Sequence, residues 1–572
     1  MLKKLLKFVL MSALTFVLMI ILLLVIAAFT MGPNVKENSV LVLQLSGPLM
    51  EEGPQGWKER LLVGDVLTTR GIMESLEKAK KDDRIKALLV DSLYAQMGIG
   101  KAQEVRNLIQ DFGRTTKKPV YGYLEEGGTI DYYVCAAAPR LFSSPESDSW
   151  FTLLGIRAEV PFFKGTLDKL GIEAQMDHIG AYKSGSEIYT RESMSDPDRE
   201  AVNSILDNVY SRLTSDIATD RKLTAEHLKT LIDQAPFTAK DLKEKRLVDD
   251  LLYRDEMEGL IKKELKLSQI HTISALQYQK PTFSEAFDVK KENIAIVYAT
   301  GSIMPGSSSK GWGENIMGST TITDALRQAR ENETVKAVVL RVDSPGGSPS
   351  ASDAIWREVR VTVKKKPVIV SMADVAASGG YYISMGATKI LADPSTFTGS
   401  IGIYGGKFYV KGLYDKIGLK KEIIKRGENA DLFSDYVPFG EKEWGLIRKH
   451  MQSTYDTFTR KAAEGRKRTT QQIQEVAQGR VWSGEQGMQH GLVDKLGGLK
   501  DAIQEAKQLA KLSGKSVGFV IYPAAKEDFG SLFSSSRAKI HVPEEVHELL
   551  CWAQIARREH LLLLMPLKFI IN

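Results

Sequence analysis

The run of small residues around Ser378 is the part of this sequence best suited to chemistry. Residues 367–371 (PVIVS) read as a short β-branched strand, residues 376–380 (AASGG) follow, and residues 381–387 read as an apolar helical segment. A serine on a strand-to-helix turn has an exposed hydroxyl close to backbone N–H groups, which is the arrangement of a nucleophile with an anion-stabilising surround. The alternative is a tight turn in which Gly and Ala serve packing.

An internal duplication places this stretch in a wider pattern. Residues 132–145 (YYVCAAAPRLFSSP) align without a gap to residues 381–394 (YYISMGATKILADP), and similar matches recur along the chain. The first copy runs over about residues 39–254 and the second over about residues 293–500. The period is far too long for a solenoid repeat, so the sequence indicates a tandem duplication of one folded unit.

Each copy alternates short apolar strands with amphipathic helical patterns, of which residues 322–330 are an example. Residues 195–198 (SDPD) predict a helix start, with a capping serine, a proline and an acidic first turn. This alternation favours an α/β fold with buried strands in each copy.

The two copies differ at the positions where chemistry is expected. The second copy has Ser378 where the first has Thr129, and it has SPGG at residues 344–347 where the first has SLYA. Conversely, Lys183 of the first copy aligns with Ala430 of the second. An isolated lysine is normally a solvated charge, but this pattern makes Lys183 a candidate general base, because each copy retains one part of a site and has lost the other.

Histidine is the other candidate base, and a Ser–His–Asp triad remains open on the residues alone. No histidine lies near Ser378 in sequence, and most lie in polar helical or linker stretches; the eight are His178, His227, His271, His450, His490, His541, His547 and His560. No metal-ligand spacing and no phosphate-binding glycine loop occurs in the sequence, so neither a metal nor a cofactor is expected.

Composition restricts the function classes. A net charge of +6 over 572 residues is too dilute to indicate a nucleic-acid partner. The two cysteines, Cys135 and Cys551, lie far apart and imply no disulfide framework; Cys135 lies in an apolar run and is expected to be buried.

The N-terminus predicts a membrane anchor. Residues 8–35 contain no charged side chain and are almost wholly apolar up to residue 31, whereas a bilayer span needs about 20 such residues. Lys3, Lys4 and Lys7 precede this run, so the N-terminus is expected in the cytoplasm and the body on the opposite side. The alternative is a cleaved signal peptide, but the run is long for one and no clean cleavage site follows.

These observations divide the chain into five parts. We predict an anchor over residues 1–36, the first α/β copy over 37–255, a polar and partly helical connector over 256–292, the second α/β copy over 293–514, and a C-terminal strand with an apolar tail over 515–572. The strand is expected at residues 517–522. The tail is expected to form a helix that faces the membrane or a partner subunit, or that packs on the body.

Four motifs carry a family resemblance: ASGGYY at residues 377–382, SPGG at 344–347, TGSIGI at 398–403 and AYKSG at 181–185. With the duplication and the anchor, they resemble the signal peptide peptidase A (protease IV) family in its double-length form, over about residues 39–500. The resemblance implies a tandem duplication of a Clp protease/crotonase-like α/β unit with an N-terminal transmembrane helix.

The resemblance also implies residue roles. Ser378 would be the nucleophile, Lys183 the general base, and Ser400 the residue that orients the lysine. The backbone N–H groups of Gly347 and Gly379 would form the oxyanion hole. Lysine can act as a base only when it is neutral, so its pKa must be lowered by burial away from carboxylates.

By the same resemblance, the protein would be a membrane-anchored serine endopeptidase that degrades signal peptides and other apolar peptides in the bacterial inner membrane. It would contact the lipid bilayer, assemble as a homo-oligomer (a tetramer for the double-length form), and bind no nucleic acid. One alternative is a catalytically inactive scaffold that binds membrane peptides. Another is a crotonase-type acyl-CoA enzyme, against which the anchor and the Ser–Lys pair argue.

Overall fold

The first copy is built on a six-stranded parallel sheet. The computed structural model describes residues 7, 11–20, 32–54, 64–145, 150–281, 291–310, 315–524, 561–565 and 569–571. In spatial order the strands of this first sheet are His271–Ser274, Ser39–Pro48, Ile85–Gln96, Val120–Leu124, Arg140–Ser143 and Asp250–Leu251. The central strands are apolar and buried, as expected for parallel strands covered by helices on both faces.

The second copy repeats this arrangement in an eight-stranded sheet. Its main path is Val481–Ser483, Phe397–Gly399, Val368–Ala377, Val335–Ser344, Asn293–Thr300 and Gly518–Tyr522, and Lys389–Ala392 and Lys495–Leu496 pair beside it. All pairings are parallel except that between Val481–Ser483 and Phe397–Gly399. The duplication predicted from the sequence is therefore present as two related sheets.

Helices cover the sheets of both copies. Those of the first copy are Thr69–Lys81, Ile99–Thr115, Thr129–Cys135, Lys164–Leu170, Glu187–Thr190, Asp196–Arg221, Ala225–Ile232, Ala239–Glu244, Arg254–Glu264 and Ala275–Tyr278, with a 3₁₀ turn at Ser184–Ser186. Those of the second are Ser319–Glu331, Pro349–Val363, Gly379–Ser384, Lys411–Lys416, Glu441–Arg466, Thr470–Val476, Gly484–Gln489 and Leu499–Leu509. The helix start predicted at Ser195 is confirmed, because its side chain accepts the N–H of Asp198.

The remaining described strands form two short pairs and one larger mixed sheet. Gly127–Gly128 pairs with Phe151–Thr152, and Ile156–Ala158 pairs with Phe569–Ile571. The larger sheet contains strands from both copies, in the order Ser309–Lys310, Asn315–Gly318, Ser302–Met304, Gly346–Gly347, Leu561–Leu564, Ile403–Tyr409 and Glu173–Ile179. The two copies are therefore joined by backbone pairing as well as by side chains.

Each copy extends beyond the range in which sequence similarity is visible. His271–Ser274 lies in the segment predicted as a connector, yet it pairs with Ser39–Pro48 at the edge of the first sheet. Gly518–Tyr522 confirms the strand predicted at residues 517–522 and pairs with Asn293–Thr300 in the same way. Part of the connector thus belongs to the sheet of the first copy.

The tail prediction was wrong at the residues that are described. Residues 561–564 form a strand and not a helix, and Phe569–Ile571 forms another. Side chains 561–565 are buried. A row of leucines fits either secondary structure by apolar character alone, so the neighbouring strands decide the outcome.

Asp374 of the second copy caps a helix of the first. The helix Ile99–Thr115 begins after Gly98, which has no side chain of its own to cap it. The Asp374 carboxylate accepts the backbone N–H groups of Gly98 (3.2 Å) and Lys101 (2.8 Å), and it also pairs with the Lys101 ammonium at 3.0 Å. A carboxylate at a helix N-terminus is favoured by the unpaired N–H groups and the helix dipole.

A buried ion cluster holds the same interface. Arg341, which is fully buried, donates to both oxygens of Glu51 at 2.9 Å, to Glu104 at 2.7 Å and to Ser371 at 2.8 Å. Burial and the nearby Glu51 charge raise the pKa of Glu104 against the opposing effect of Arg341. Both glutamates come from the first copy, so this cluster ties Arg341 of the second copy to it.

Most of the predicted anchor lies outside the described residues. Residues 11–20 are helical, and their apolar side chains are exposed, including Met11, Leu14 and Phe16. Among the residues that the structure covers, no helix combines the length and apolar character that a membrane span requires.

We expect Arg341→Met to destabilise the protein by about 3–5 kcal/mol, because it leaves two buried carboxylates without their counter-charge. The measurement is urea unfolding followed by circular dichroism. Lys240→Ala, at the exposed Lys240–Glu244 pair, is the matched control and should unfold like the wild type. Equal midpoints for the two variants would contradict a structural role for the cluster.

Candidate active site

Ser378 occupies a strained turn between a strand and a helix. It follows Val368–Ala377 and precedes Gly379–Ser384, with φ 54° and ψ −111°, a region that non-glycine residues rarely adopt. The Ser378 N–H donates to the Gly399 carbonyl at 2.8 Å, and the Ser378 carbonyl accepts from Tyr382 at 2.8 Å. These two bonds hold the turn and fix the direction of the side chain.

Lys183 of the first copy reaches Ser378 of the second within one chain. Its Nζ lies 2.8 Å from Ser378 Oγ, 2.9 Å from Ser400 Oγ and 3.1 Å from the Ser400 carbonyl oxygen. All three residues are fully buried. The resemblance implied that these three residues share a site, and the fold brings the Lys183 amine within hydrogen-bonding distance of both serines.

Strand pairing between the copies positions the lysine. Ile179, at the end of Glu173–Ile179, pairs with Ile403, so Lys183 and Ser400 both lie just beyond this end of the antiparallel pair. The Tyr182 N–H donates to the Gln478 carbonyl at 2.8 Å. A Cβ atom on Gly479 would lie 2.5 Å from the Cβ of Lys183, so only glycine at 479 permits this close approach.

The surroundings of Lys183 favour the neutral amine. Burial lowers the pKa of Lys183 well below its usual value, and no carboxylate among the described residues offsets this effect. A neutral amine has two N–H donors and one lone pair. The two oxygen atoms of Ser400 match the donors, and the hydroxyl of Ser378 can donate to the lone pair.

Ser400 is itself held in a constrained conformation. Its φ is 52°, and its N–H donates to the Arg480 carbonyl at 2.7 Å. The strand Phe397–Gly399 precedes it and pairs with the end of Val368–Ala377, which carries Ser378. The same two strands therefore position Ser400, which contacts the lysine, and Ser378, the proposed nucleophile.

The predicted oxyanion donors lie together. A Cβ atom on Gly379 would lie 3.0 Å from the backbone nitrogen of Gly347 and 2.9 Å from Gly346 Cα. Gly346 has φ 110°, and its N–H donates to Ser344 Oγ at 3.2 Å, which fixes the turn before Gly347. Backbone N–H groups held in this way are suited to stabilising a developing oxyanion.

The tail strand Leu561–Leu564 occupies the cleft beside these donors. It pairs antiparallel with Gly346–Gly347 on one side and with Ile403–Tyr409 on the other. Leu562 and Leu564 pack with Met304 and Tyr404. The cleft therefore binds an extended apolar segment between two strands.

The corresponding positions of the other copy lack this chemistry. The Thr129 hydroxyl is in donor position to two backbone carbonyls, that of Gly155 at 3.3 Å and that of Thr152 at 3.4 Å. Ala430 lies in an exposed turn. Within the described residues, no histidine hydrogen-bonds Ser378; His178 contacts Ser186 instead, and His541, His547 and His560 lie outside the described residues.

Three contributors to the site were not identified from the sequence. They are Gly479, which admits the lysine, the Arg480 carbonyl, which holds Ser400, and the tail strand. The tail carried a signal, an uninterrupted run of four leucines and a methionine. The sequence gives no sign of the roles of Gly479 and Arg480, because no local pattern shows where the other copy will approach the backbone.

Comparisons with known proteins identify the family of this chain. The model of Peptidase family S49 matches residues 113–268 and again residues 360–513, once in each copy. A serine protease of Arabidopsis thaliana, "Serine protease SPPA, chloroplastic", is 34% identical over 484 residues, which cover 84% of this chain and 70% of that protein.

Two bacterial proteins are also similar. "Protease 4" of Salmonella typhi is 32% identical over 452 residues, or 77% of this chain and 72% of that protein. "Protease 4" of Haemophilus influenzae is 29% identical over 517 residues, or 86% and 83%. With a family match in each copy and relatives aligned over most of their length, this chain belongs to Peptidase family S49 and is a serine peptidase.

Proposed function

We propose that the protein is a membrane-anchored endopeptidase that uses Ser378 and Lys183 as a catalytic dyad to degrade apolar peptides, including signal peptides released during secretion. The observation that carries the proposal is the 2.8 Å contact between Lys183 Nζ and Ser378 Oγ in a fully buried setting. A serine beside an uncharged base is an activated nucleophile.

The proposed reaction has two steps. Neutral Lys183 takes the proton of Ser378 as the serine oxygen attacks the peptide carbonyl, and it then gives that proton to the leaving amine. Water hydrolyses the resulting ester, again with Lys183 as the base. Ser400 keeps the amine oriented, and the N–H groups of Gly347 and Gly379 stabilise the oxyanion in both steps.

The cleft supports the proposed substrate class. A peptide lying between Gly346–Gly347 and Ile403–Tyr409 would be bound through its backbone as an added strand, with alternate side chains facing opposite sides. One side is lined by Met304, Ile316 and Tyr404. This lining favours apolar sequences, and the hydrophobic stretch of a signal peptide has that character.

Anchoring of the N-terminus in the bacterial inner membrane is supported by its sequence. Residues 8–31 are apolar, basic residues precede them, and the described helical part, residues 11–20, exposes its apolar side chains. We infer one membrane span with the body on the periplasmic side.

We further propose a homotetramer, the assembly that the resemblance implies, and an exposed apolar segment of the second copy supports self-association. Ile417 and Ile424 are 64% and 87% exposed, and Leu419 and Ile423 are also exposed nearby. Clustered exposed apolar side chains are typical of interaction surfaces. We infer that this segment contacts another copy of the chain.

The alternatives are less well supported. An inactive scaffold does not require a buried lysine in contact with a serine. In a scaffold, the free-energy cost of removing this lysine from water would serve no purpose. An acyl-CoA enzyme does not require a cleft that accepts an extended strand.

The dyad is tested by substitution. Ser378→Ala should abolish peptide hydrolysis, and Lys183→Ala should lower kcat by about 10²–10⁴-fold, the usual contribution of a general base. Lys183→Arg should not restore activity, because a guanidinium stays protonated. Ser400→Ala should lose less, because the Ser400 carbonyl still accepts from the amine.

The rate at which a fluorophosphonate labels Ser378 provides the pH test. Lowering the pH protonates Lys183, so labelling should fall as the pH passes down through its depressed pKa and should rise toward alkaline pH. Lys164→Ala, at an exposed lysine of the same copy, is the control and should behave like the wild type. Wild-type turnover in folded Lys183→Arg would eliminate the dyad.

Anchoring is tested by fractionation of a bacterial host. The full chain should stay in the membrane after a carbonate wash, and a variant that lacks residues 1–36 should not. Protease added to spheroplasts should digest the body. A body that is digested only after lysis would contradict the proposed orientation.

The oligomer is tested by light scattering in detergent. Ile417→Asp combined with Ile424→Asp should reduce the tetramer mass to that of smaller species, because a buried charge opposes association. Met488→Asp, at an exposed apolar residue elsewhere, should leave the mass unchanged. An unaltered tetramer in the double variant would show that this segment is not the interface.

A further inference from the structure

Three side chains at the junction of the two copies lie next to the dyad. They are Tyr182 and Glu200 of the first copy and Arg480 of the second, and together they form the Arg480 cluster. We propose that Arg480 is a positioning residue that keeps Lys183 against Ser400, with Glu200 holding its guanidinium; this inference rests on the proposed function.

Arg480 contacts the chain on both sides of the lysine. Its carbonyl accepts the N–H of Ser400 at 2.7 Å, and Ser400 in turn hydrogen-bonds the Lys183 amine. The central carbon of its guanidinium lies 4.8 Å from the centre of the Tyr182 ring, and Tyr182 directly precedes Lys183. The same carbon lies 4.5 Å from the centre of the Trp482 ring. A planar cation that packs on two aromatic rings has little freedom to move.

Glu200 ties the guanidinium to the first copy. Arg480 Nη1 donates to one carboxylate oxygen of Glu200 at 2.6 Å, and the Tyr182 hydroxyl donates to the other at 3.1 Å. These two hydrogen bonds lower the pKa of the Glu200 carboxyl, so it carries its charge at neutral pH. Glu200 lies near the start of the helix Asp196–Arg221. The arginine of one copy is therefore held by two residues of the other.

The backbone beside the lysine would transmit a movement of Arg480. Gln478 and Gly479 both have positive φ, 55° and 79°, and the Gly479 N–H donates to the Ile401 carbonyl at 2.8 Å. Such a conformation in a residue other than glycine persists only where the surroundings fix it. Because Gly479 packs directly on Lys183, a displacement of this segment would move the amine relative to both serines.

The two copies differ at both members of the ion pair. The stretch that ends in LVD aligns without a gap between the copies, and it places Ala235 opposite Arg480. The long helix of each copy has 26 residues and ends before a lysine in the left-handed conformation, which places Gly445 opposite Glu200. The repeated fold therefore forms without this ion pair, and the pair is a feature of the junction that carries the dyad.

Arg480→Ala removes the guanidinium and keeps the backbone that holds Ser400. We expect it to lower kcat for an apolar fluorogenic peptide by about 10–100-fold, the cost of a small misplacement of the reacting groups. KM should change little, because the cluster contributes nothing to the apolar lining of the cleft. Arg360→Ala, at an arginine–glutamate pair elsewhere in the second copy, is the matched control and should behave like the wild type. Wild-type kcat in folded Arg480→Ala would overturn the proposal.

A second background separates positioning from a general effect on stability. The readout is the rate at which a fluorophosphonate labels Ser378. Arg480→Ala should slow labelling when Lys183 is present and should change nothing in Lys183→Ala, because the arginine acts through the lysine. Equal slowing in both backgrounds would overturn the proposal, because the arginine would then support only the fold.

Glu200→Ala tests the cluster without disturbing the core, since the Glu200 side chain is 56% exposed. It should slow labelling less than Arg480→Ala does, and adding it to Arg480→Ala should slow labelling no further, because its effect passes through the guanidinium. A further loss in the double variant would overturn this arrangement. If Arg480→Ala does not fold, slowed labelling in Glu200→Ala supports the proposal and an unchanged rate overturns it.

The same assay distinguishes a failure of this inference from a failure of the proposed function. Wild-type labelling in Lys183→Ala would contradict the proposed function, and this inference with it. Slow labelling in Lys183→Ala, with wild-type rates in Arg480→Ala and Glu200→Ala, would leave the dyad in place and overturn only the positioning role of Arg480.

Discussion

The burial of the Lys183 amine is the constraint on which this structure depends. Lys183 is fully buried, and burial lowers the pKa of its side chain; within the part of the chain that the structure describes, no carboxylate pairs with it. A buried ammonium without a counter-charge would be costly, so the site must be dry, close-packed and supplied with neutral acceptors. The two oxygen atoms of Ser400 and the hydroxyl of Ser378 meet this requirement.

The duplication divides the site between two copies, so their docking is part of the proposed chemistry. Backbone pairing between Ile179 and Ile403 sets the position of the lysine. Charges are paired elsewhere in the interface, where Arg341 binds two glutamates and Asp374 caps a helix of the other copy. Lys183 takes no part in these ion pairs; among the described residues its hydrogen-bond partners are Ser378 and Ser400.

The cleft is a gap in a sheet, and the tail fills it. Gly346–Gly347 and Ile403–Tyr409 leave room for one strand between them, and Leu561–Leu564 takes that place. Unpaired backbone groups of this kind bind extended chains with little regard to sequence, while the apolar surfaces on either side select the side chains. This physical property accounts for the proposed substrate class.

The sequence by itself determined the duplicated α/β architecture, because buried parallel strands and amphipathic helices carry strong periodic patterns. It also singled out Ser378 and Lys183, because each copy has lost what the other retains. Only the tertiary structure decided that both meet within one chain, that His271–Ser274 completes a sheet, and that four leucines form a strand in the cleft and not a helix. These outcomes depend on contacts between distant segments, and the local sequence does not encode which backbone segment will lie opposite a given strand.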